Sequence, residues 1–376
     1  MIYLDYNATT PVAPEALEAM LPYLRDAYGN PSSSHALGHR AHEAVQQARG
    51  QVATLIGASA DEIVFTSGGT EATNLALRGV VLAQPHRRHV VTSDFEHPAT
   101  AETCLLLERQ GVRLTRVPVA RDGRVRPEDV DRVLDGAPAI VTVMHANNEI
   151  GTLQPIADIS RLAKAKGALV HTDAAQTVGK VPVDVDALGV DLLTIAGHKL
   201  YAPKGVGALY VRRGTSLDRL LAGAGHERGM RPGTENVAGI AALGRACKLA
   251  HRHLATEQTR LRGLRGHLLA ALSAGVDGLV VHGHPTERLP NTLFVSFPGV
   301  HGARLLEAAP EIAASTGSAC HSGSDAPCAS LLAIGVDAAQ AVGPVRLSLG
   351  RGTTAQELDQ AAGLLVRGWK RLRSRR

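Results

Sequence analysis

The sequence predicts an α/β protein: a large unit built on a mostly parallel sheet covered by helices, joined to a smaller α+β unit. Short apolar runs alternate with helical patterns over most of the first ~250 residues, and strands separated by amphipathic helices call for crossover connections. A long helical stretch then changes the texture of the chain. Beyond it the strands show more alternation and fewer helices between them, as in a separate α+β layer.

Taken in order, "HALGHRAHEAVQQARGQVATLIG" supplies a helical layer ahead of the first buried strand, "DEIVFTSGG". The strand-like runs "RHVVTSDF", "PAIVTVMHANN", "GALVHTDAAQ", "VDLLTIAGHK" and "VGALYVRR" follow, with "IADISRLAKAKG" as a further covering helix. The stretch "ACKLAHRHLATEQTRLRGLRGHLLAAL" marks the change near residue 253, and "GLVVHG", "NTLFVSF" and "VRLSLG" are the strands of the smaller unit. No internal repeat or low-complexity linker interrupts the chain.

Composition narrows the function classes. Of the 376 residues 44% are hydrophobic and 20% charged, an ordinary globular balance. No run approaches the roughly 18 uncharged apolar residues of a membrane helix, and the start, "MIYLDYNATTPVAPE", lacks a basic segment followed by an apolar one. A cytoplasmic protein is expected. The net charge of +5 is modest, and its excess lies largely in "VRGWKRLRSRR", which suits a solvated helix end. Aromatic residues make up only 3%, too few for base-stacking platforms, so no direct nucleic-acid contact is expected. Cys104, Cys247, Cys320 and Cys328 show no Cys-x-x-Cys spacing, which argues against a zinc site; no metal is expected. Cys104 and Cys247 sit in helical runs as core residues, whereas Cys320 stands in "STGSACHSG" among residues too small to cover it.

Polar residues cluster just after the strand-like runs, where open α/β sheets bind ligands. "TSGGTEATN" is a glycine-rich turn opening a helix, whose free N–H groups suit a phosphate, although such turns are also common without one. Asp173, in "TDAAQ", is a carboxylate at the mouth of a buried strand; it needs a cation or several donors, or else caps the next turn. Lys199, in "AGHKLYAPKG", stands at another strand end beside His198, either as a partly desolvated amine able to form a Schiff base or as a surface lysine. A phosphate cradle, a carboxylate and a lysine together are what pyridoxal phosphate requires.

Through "YLDYNATTPV", "GNPSSSHALG", "TSGGTEATN", "EHPA", "HANNEIG", "HTDAAQ", "GHKLYAPKG", "ERGMRPGTEN", "TGSAC" and "RLSLGRGTT", in that order, the chain resembles the cysteine desulfurases, the NifS/IscS-like branch of the class V aminotransferase family. The resemblance covers nearly the whole chain. It implies the type I fold of pyridoxal phosphate-dependent transferases, with residues 13–252 as the large cofactor-binding domain and residues 1–12 and 253–376 as a small domain carrying a catalytic cysteine loop. It also implies residue roles. Lys199 would hold the cofactor as a Schiff base and act as general base, Asp173 would pair with the pyridinium nitrogen, and Gln176 would donate to the phenolic oxygen. His97 would stack on the ring and assist catalysis; Gly69, Thr70 and His198 would hold the phosphate, with Thr234 reaching in from a second subunit of a homodimer. Asn148 and Arg346 would face the substrate, Arg346 as a carboxylate fork. Ala196-Gly197 departs from the family pattern, where a serine often adds a phosphate contact.

The same resemblance gives Cys320 a chemical role, in which its thiolate attacks the sulfur of a bound L-cysteine, leaving L-alanine and an enzyme persulfide. That sulfur would then pass to an acceptor such as an iron–sulfur scaffold or a tRNA-thiolating enzyme. Small neighbours suit a loop that must leave the site to deliver sulfur. His321 can handle the thiol proton or stand solvated, and Cys328 can resolve the persulfide or simply begin a helix. A selenocysteine lyase acting on L-selenocysteine is the nearest alternative, since its loop resembles "ACHS" as well. A non-catalytic sulfur-relay partner that binds the cofactor is the alternative from another class, and a plain aminotransferase leaves Cys320 without a role.

Overall fold

The computed structural model describes residues 1–136, 138–317, 327–338 and 340–374. Its strands are β1 (Ile2–Tyr3), β2 (Ile63–Thr66), β3 (His89–Ser93), β4 (Arg113–Val117), β5 (Ile140–Thr142), β6 (Leu169–Asp173), β7 (Leu192–Ala196), β8 (Gly207–Val211), β9 (Val280–Val281), β10 (Thr292–Ser296), β11 (Ile312–Ala313) and β12 (Pro344–Ser348). The helices are α1 (Pro14–Arg25), α2 (Ala36–Ile56), α3 (Gly69–Ala83), α4 (Pro98–Arg109), α5 (Pro127–Val133), α6 (Ile156–Ala165), α7 (Val185–Leu188), α8 (Val237–Gly275), α9 (Gly302–Glu307), α10 (Ala329–Ala333) and α11 (Ala355–Arg373).

Seven strands form the main sheet in the order β2-β8-β7-β6-β5-β3-β4. The pairs from β7 through β6, β5 and β3 to β4 are all parallel. Only β8 runs the other way, antiparallel to both β7 and β2. The chain between β7 and β8, residues 197–206, is too short for the crossover that a parallel return would need.

Every residue of β2, β3, β5, β7 and β8 is buried, which is why these strands read as continuous apolar runs. β4 is different. Its sequence, "RLTRV", exposes Arg113 and Arg116 at the sheet edge, where charge discourages pairing with another chain, so no apolar run announces it.

The C-terminal unit carries an antiparallel sheet, β12-β10-β9, and the short parallel pair β1-β11. Through that pair Ile2 and Leu4 enter a core with Leu268, Phe297, Leu347, Leu365 and Trp369. A separate core around the main sheet holds Val52, Ile63, Val141, Ile195 and Leu243. α8 serves both: Ile240 to Ala250 pack on the first and Leu261 to Leu272 on the second. The helix thus begins nine positions ahead of the predicted helical stretch and runs straight through residue 253. Among the described residues no helix is long and apolar enough to cross a membrane.

Candidate active site

The carboxyl ends of the parallel strands open onto one cleft of about 160 Å³. β2 leads through Ser67 and Gly68 into α3, so Gly69 and Thr70 form one wall. Gly68 sits at φ 154° and ψ −177°, a backbone conformation that a side chain would make costly. The first N–H groups of α3 have no earlier turn to bond to, and the positive end of a 15-residue helix faces the cleft. A Cβ added to Gly69 would come 3.2 Å from Ala196 Cβ, so the helix start lies hard against the end of β7.

Asp173 ends β6 and is buried, with one carboxylate oxygen accepting from the Ala175 N–H at 2.9 Å. Burial raises its pKa, while His97 and Lys199 pull the other way. A cation placed against Asp173 therefore relieves a real cost. His97 caps α4, its Nδ1 accepting from the Ala99 N–H at 3.1 Å ahead of Pro98 at the first helical position. This fixes the tautomer: Nδ1 is the acceptor, so in the neutral ring Nε2 carries the proton. Burial keeps the imidazole below its usual pKa.

Lys199 closes a single helical turn after β7. Its Nζ donates to the backbone carbonyls of Asn7 at 2.7 Å and Ala8 at 2.8 Å. Two residues on, Tyr201 occupies the left-handed region at φ 70°, which costs a bulky residue about 1–3 kcal/mol. Its hydroxyl, accepting from the Arg351 N–H at 2.8 Å, and the Arg351 guanidinium over its ring hold it there. Beside Lys199, His198 lines the same cleft with Nδ1 3.2 Å from Thr9 Oγ1. Burial, then the Lys199 charge, push the His198 pKa down to about 4, so it meets an anion as a neutral N–H donor.

Gln176 is buried in the cleft floor; its Nε2 donates to the Asn7 carbonyl at 3.0 Å and its Oε1 accepts from Lys180 Nζ at 2.7 Å. Asn7 is the hub of this region. Its side chain donates to Thr292 Oγ1 and the Asn148 carbonyl and accepts from Asn291 and Lys180. Reasoning from sequence passes over both Asn7 and Lys180, although Asn7 lies inside "YLDYNATTPV" and Lys180 follows Gln176 by four residues. It also passes over Glu96, which is partly buried next to His97. Glu96 accepts from Ser93 Oγ at 2.6 Å and the Met144 N–H at 3.0 Å, and burial pushes its pKa up to about 8.

Asn148 lines the cleft, and its carbonyl also accepts from Arg346 Nη1 at 3.1 Å. Arg346 itself is 2% exposed and pairs with Asp5 at 2.8 Å, one residue behind the cleft wall. To grip a carboxylate it must share or exchange Asp5. Thr234 is exposed and stands apart from this chain's own cleft. Cys328 precedes the first residue of α10; its thiol donates to Glu149 at 3.3 Å, and burial and that carboxylate push its pKa up to about 12. Both causes disfavour its thiolate. Cys320 and His321 lie outside the described residues.

The chain matches the family model described as aminotransferase class-V over residues 2–361. It is 46% identical over 376 residues to a protein named cysteine desulfurase from Trichormus azollae, covering 100% of this chain and 94% of that one. A protein named cysteine desulfurase IscS from Anaeromyxobacter dehalogenans is 48% identical over 377 positions, covering 99% and 93%. A solved structure described as a NifS-like protein superposes with a TM-score of 0.90 at 37% identity and covers 99% of both chains.

Proposed function

Because the chain belongs to the class-V aminotransferase family, we propose that it is a pyridoxal phosphate-dependent cysteine desulfurase. It converts L-cysteine and the Cys320 thiol into L-alanine and a Cys320 persulfide, a balanced transfer of one sulfur atom. The observation that carries this reading is the meeting of Lys199, Asp173, His97 and the open start of α3 in one cleft.

The donor set fits the cofactor. Lys199 would hold its aldehyde carbon, Asp173 its ring nitrogen, His97 its ring face and Gln176 its phenolic oxygen. The α3 start at Gly69, with Thr70 and the neutral His198, would hold the phosphate. When bound, the cofactor supplies an electron sink for the amino-acid carbons. The chain does the rest. Lys199, released from the Asn7 and Ala8 carbonyls, moves a proton at the substrate; Asp173 keeps the ring nitrogen protonated; Asn148 and Arg346 orient the substrate carboxylate. Cys320 supplies the nucleophile.

Thr234, exposed in its own chain, is proposed to complete the phosphate site of a second copy, so a homodimer is the active form; an active monomer would refute this. Residues 1–12 and 253–376 are proposed as the small domain, the entry of Ile2 and Leu4 into the C-terminal core supporting that division. A cytoplasmic site of action agrees with the free thiols of Cys104, Cys247 and Cys328, the cysteines among the described residues. The acceptor would be a partner protein that takes a persulfide sulfur.

The test is alanine and sulfide release from L-cysteine with a reductant, using protein loaded with pyridoxal phosphate beside a Cys320→Ser variant. Stoichiometric alanine, lost in the variant, is expected. Release from L-selenocysteine alone would make the protein a selenocysteine lyase.

A further inference from the structure

Lys180 has no role in the site as described so far, yet two specific contacts hold it there. It stands at the end of the turn after β6, partly buried, with Nζ 2.7 Å from Gln176 Oε1 and 3.1 Å from Asn7 Oδ1. Among the described residues no carboxylate pairs with it. The charged and titratable groups that face it are Lys199 and His198 from the segment after β7, and Arg346 from β12, itself paired with Asp5. From α8, His253 and Glu257 face it across a small cavity of about 30 Å³. Burial, then Lys199 and Arg346, hold the ammonium well below its ordinary pKa. A lysine kept in so unfavourable a place is held by the two acceptors it serves, Gln176 Oε1 and Asn7 Oδ1.

What it adds is direction. An amide can present oxygen or nitrogen to either side, but a protonated lysine only donates and a backbone carbonyl only accepts. Lys180 takes the Gln176 oxygen and the Asn7 carbonyl takes one Nε2 hydrogen, so the amide has a single orientation. The second Nε2 hydrogen is left for the cleft that Gln176 lines.

We propose that Lys180 is a positioning residue: it locks the Gln176 amide so that an N–H, and not the C=O, meets the bound cofactor's phenolic oxygen and stabilises it as the phenolate. The inference rests on the cofactor reading above. Loss of Lys180 leaves the amide anchored through the Asn7 carbonyl alone, so its N–H is held less firmly toward the phenolate, and the phenolic oxygen then holds a proton more tightly.

The experiment is a pH titration of the visible absorption band of protein loaded with pyridoxal phosphate, for the parent, K180M, K180R, Q176A and K180M/Q176A. K180M and Q176A are each expected to raise the midpoint by about one unit. K180R, which keeps the donor, should stay within a few tenths of the parent. The double variant should match Q176A alone, since Lys180 acts through Gln176. An unchanged midpoint in K180M, or a double variant that shifts by the sum of both, overturns the proposal. Should K180M lose its fold, judged by its melting profile, K180R decides: a shift as large as that of Q176A overturns it too. A parent protein that shows no visible band overturns the cofactor reading, and this inference with it.

Discussion

On one side of the cleft, Asp173, Lys199 and the start of α3 each stand at a strand end or a first helical turn, within a few residues of a buried apolar run. On the other, Asn7 gathers Asn148, Gln176, Lys180, Asn291, Thr292 and Ser348, from segments as much as 341 positions away in the chain. The first side inherits its geometry from the sheet. A side chain at a strand's carboxyl end faces the crevice because the strand does, and substituting it disturbs little else. The second side is a closed set of hydrogen bonds in which each member satisfies several others, so removing one leaves buried partners unmet.

That contrast breaks most visibly at Lys199. K199A is expected to lower turnover about a thousandfold or more while shifting the melting temperature by only a few degrees, as kinetics and a thermal melt on the same preparations will tell. Loss of fold in K199A would mean that the strand-end side is structural after all.

Asn7 should behave in the opposite way. N7A leaves the Asn291, Thr292 and Lys180 polar groups short of partners, and a stability loss of roughly 2–4 kcal/mol in urea titration is expected even without cofactor. A loss under half a kcal/mol would show that the hub is not a closed network.

Glu96 sharpens the comparison through pH. Its folded-state pKa lies near 8, above the usual carboxyl value, so the folded protein binds the proton that the unfolded chain releases. The sign follows directly: stability falls as pH rises from about 4.5 to about 8 and levels off above. E96Q, neutral throughout, should exceed the parent by a few kcal/mol at most above pH 8, with the advantage fading toward pH 5. Its Oε1 can still accept from Met144 and its amide can donate to Ser93 Oγ. Denaturant midpoints at pH 5, 7 and 9 check this, and equal midpoints for both proteins at pH 9 would refute it.

The smallest effect is expected at Ala196, whose methyl lines the cleft beside the start of α3. A196S adds one hydroxyl where a phosphate would sit, and several-fold tighter cofactor binding, about 1 kcal/mol, should appear in a fluorescence titration. Weaker binding would mean that the hydroxyl crowds Gly69.

Much of the fold is legible in the sequence because its strands are buried on both faces. "EIVF", "HVVTS", "LVHTD" and "LLTIA" each read as an apolar run for that reason, whereas β4 keeps arginines at an exposed edge and so leaves no such mark. The antiparallel turn of β8 follows from the length of one connection. The start of α8 is obscured by a small-residue stretch, Val237 to Arg245, that packs closely and shows little amphipathic pattern.

The candidate site divides along the same line. Asp173, Lys199 and the α3 start can be named from the residues because each stands beside a local signal, a strand end or a glycine turn, whereas His97 comes only from the family resemblance. Asn7 and Lys180 carry no such signal, since an asparagine in a loop and a lysine after a glycine are ordinary until their neighbours are known. Resemblance places Arg346 toward the substrate, and the structure adds the carboxylate of Asp5 that it must give up or share to act there.

The sequence by itself determined the class of fold, the strand ends that line the cleft and the identity of the groups that stand there, because burial and backbone turns leave periodic and compositional marks in a chain. Only the tertiary structure decided which way the Gln176 amide points, what holds Lys199 before a ligand arrives and that Lys180 sits, among the described residues, without an acid. These depend on hydrogen-bond partners brought together from opposite ends of the chain, and sequence spacing carries no record of them.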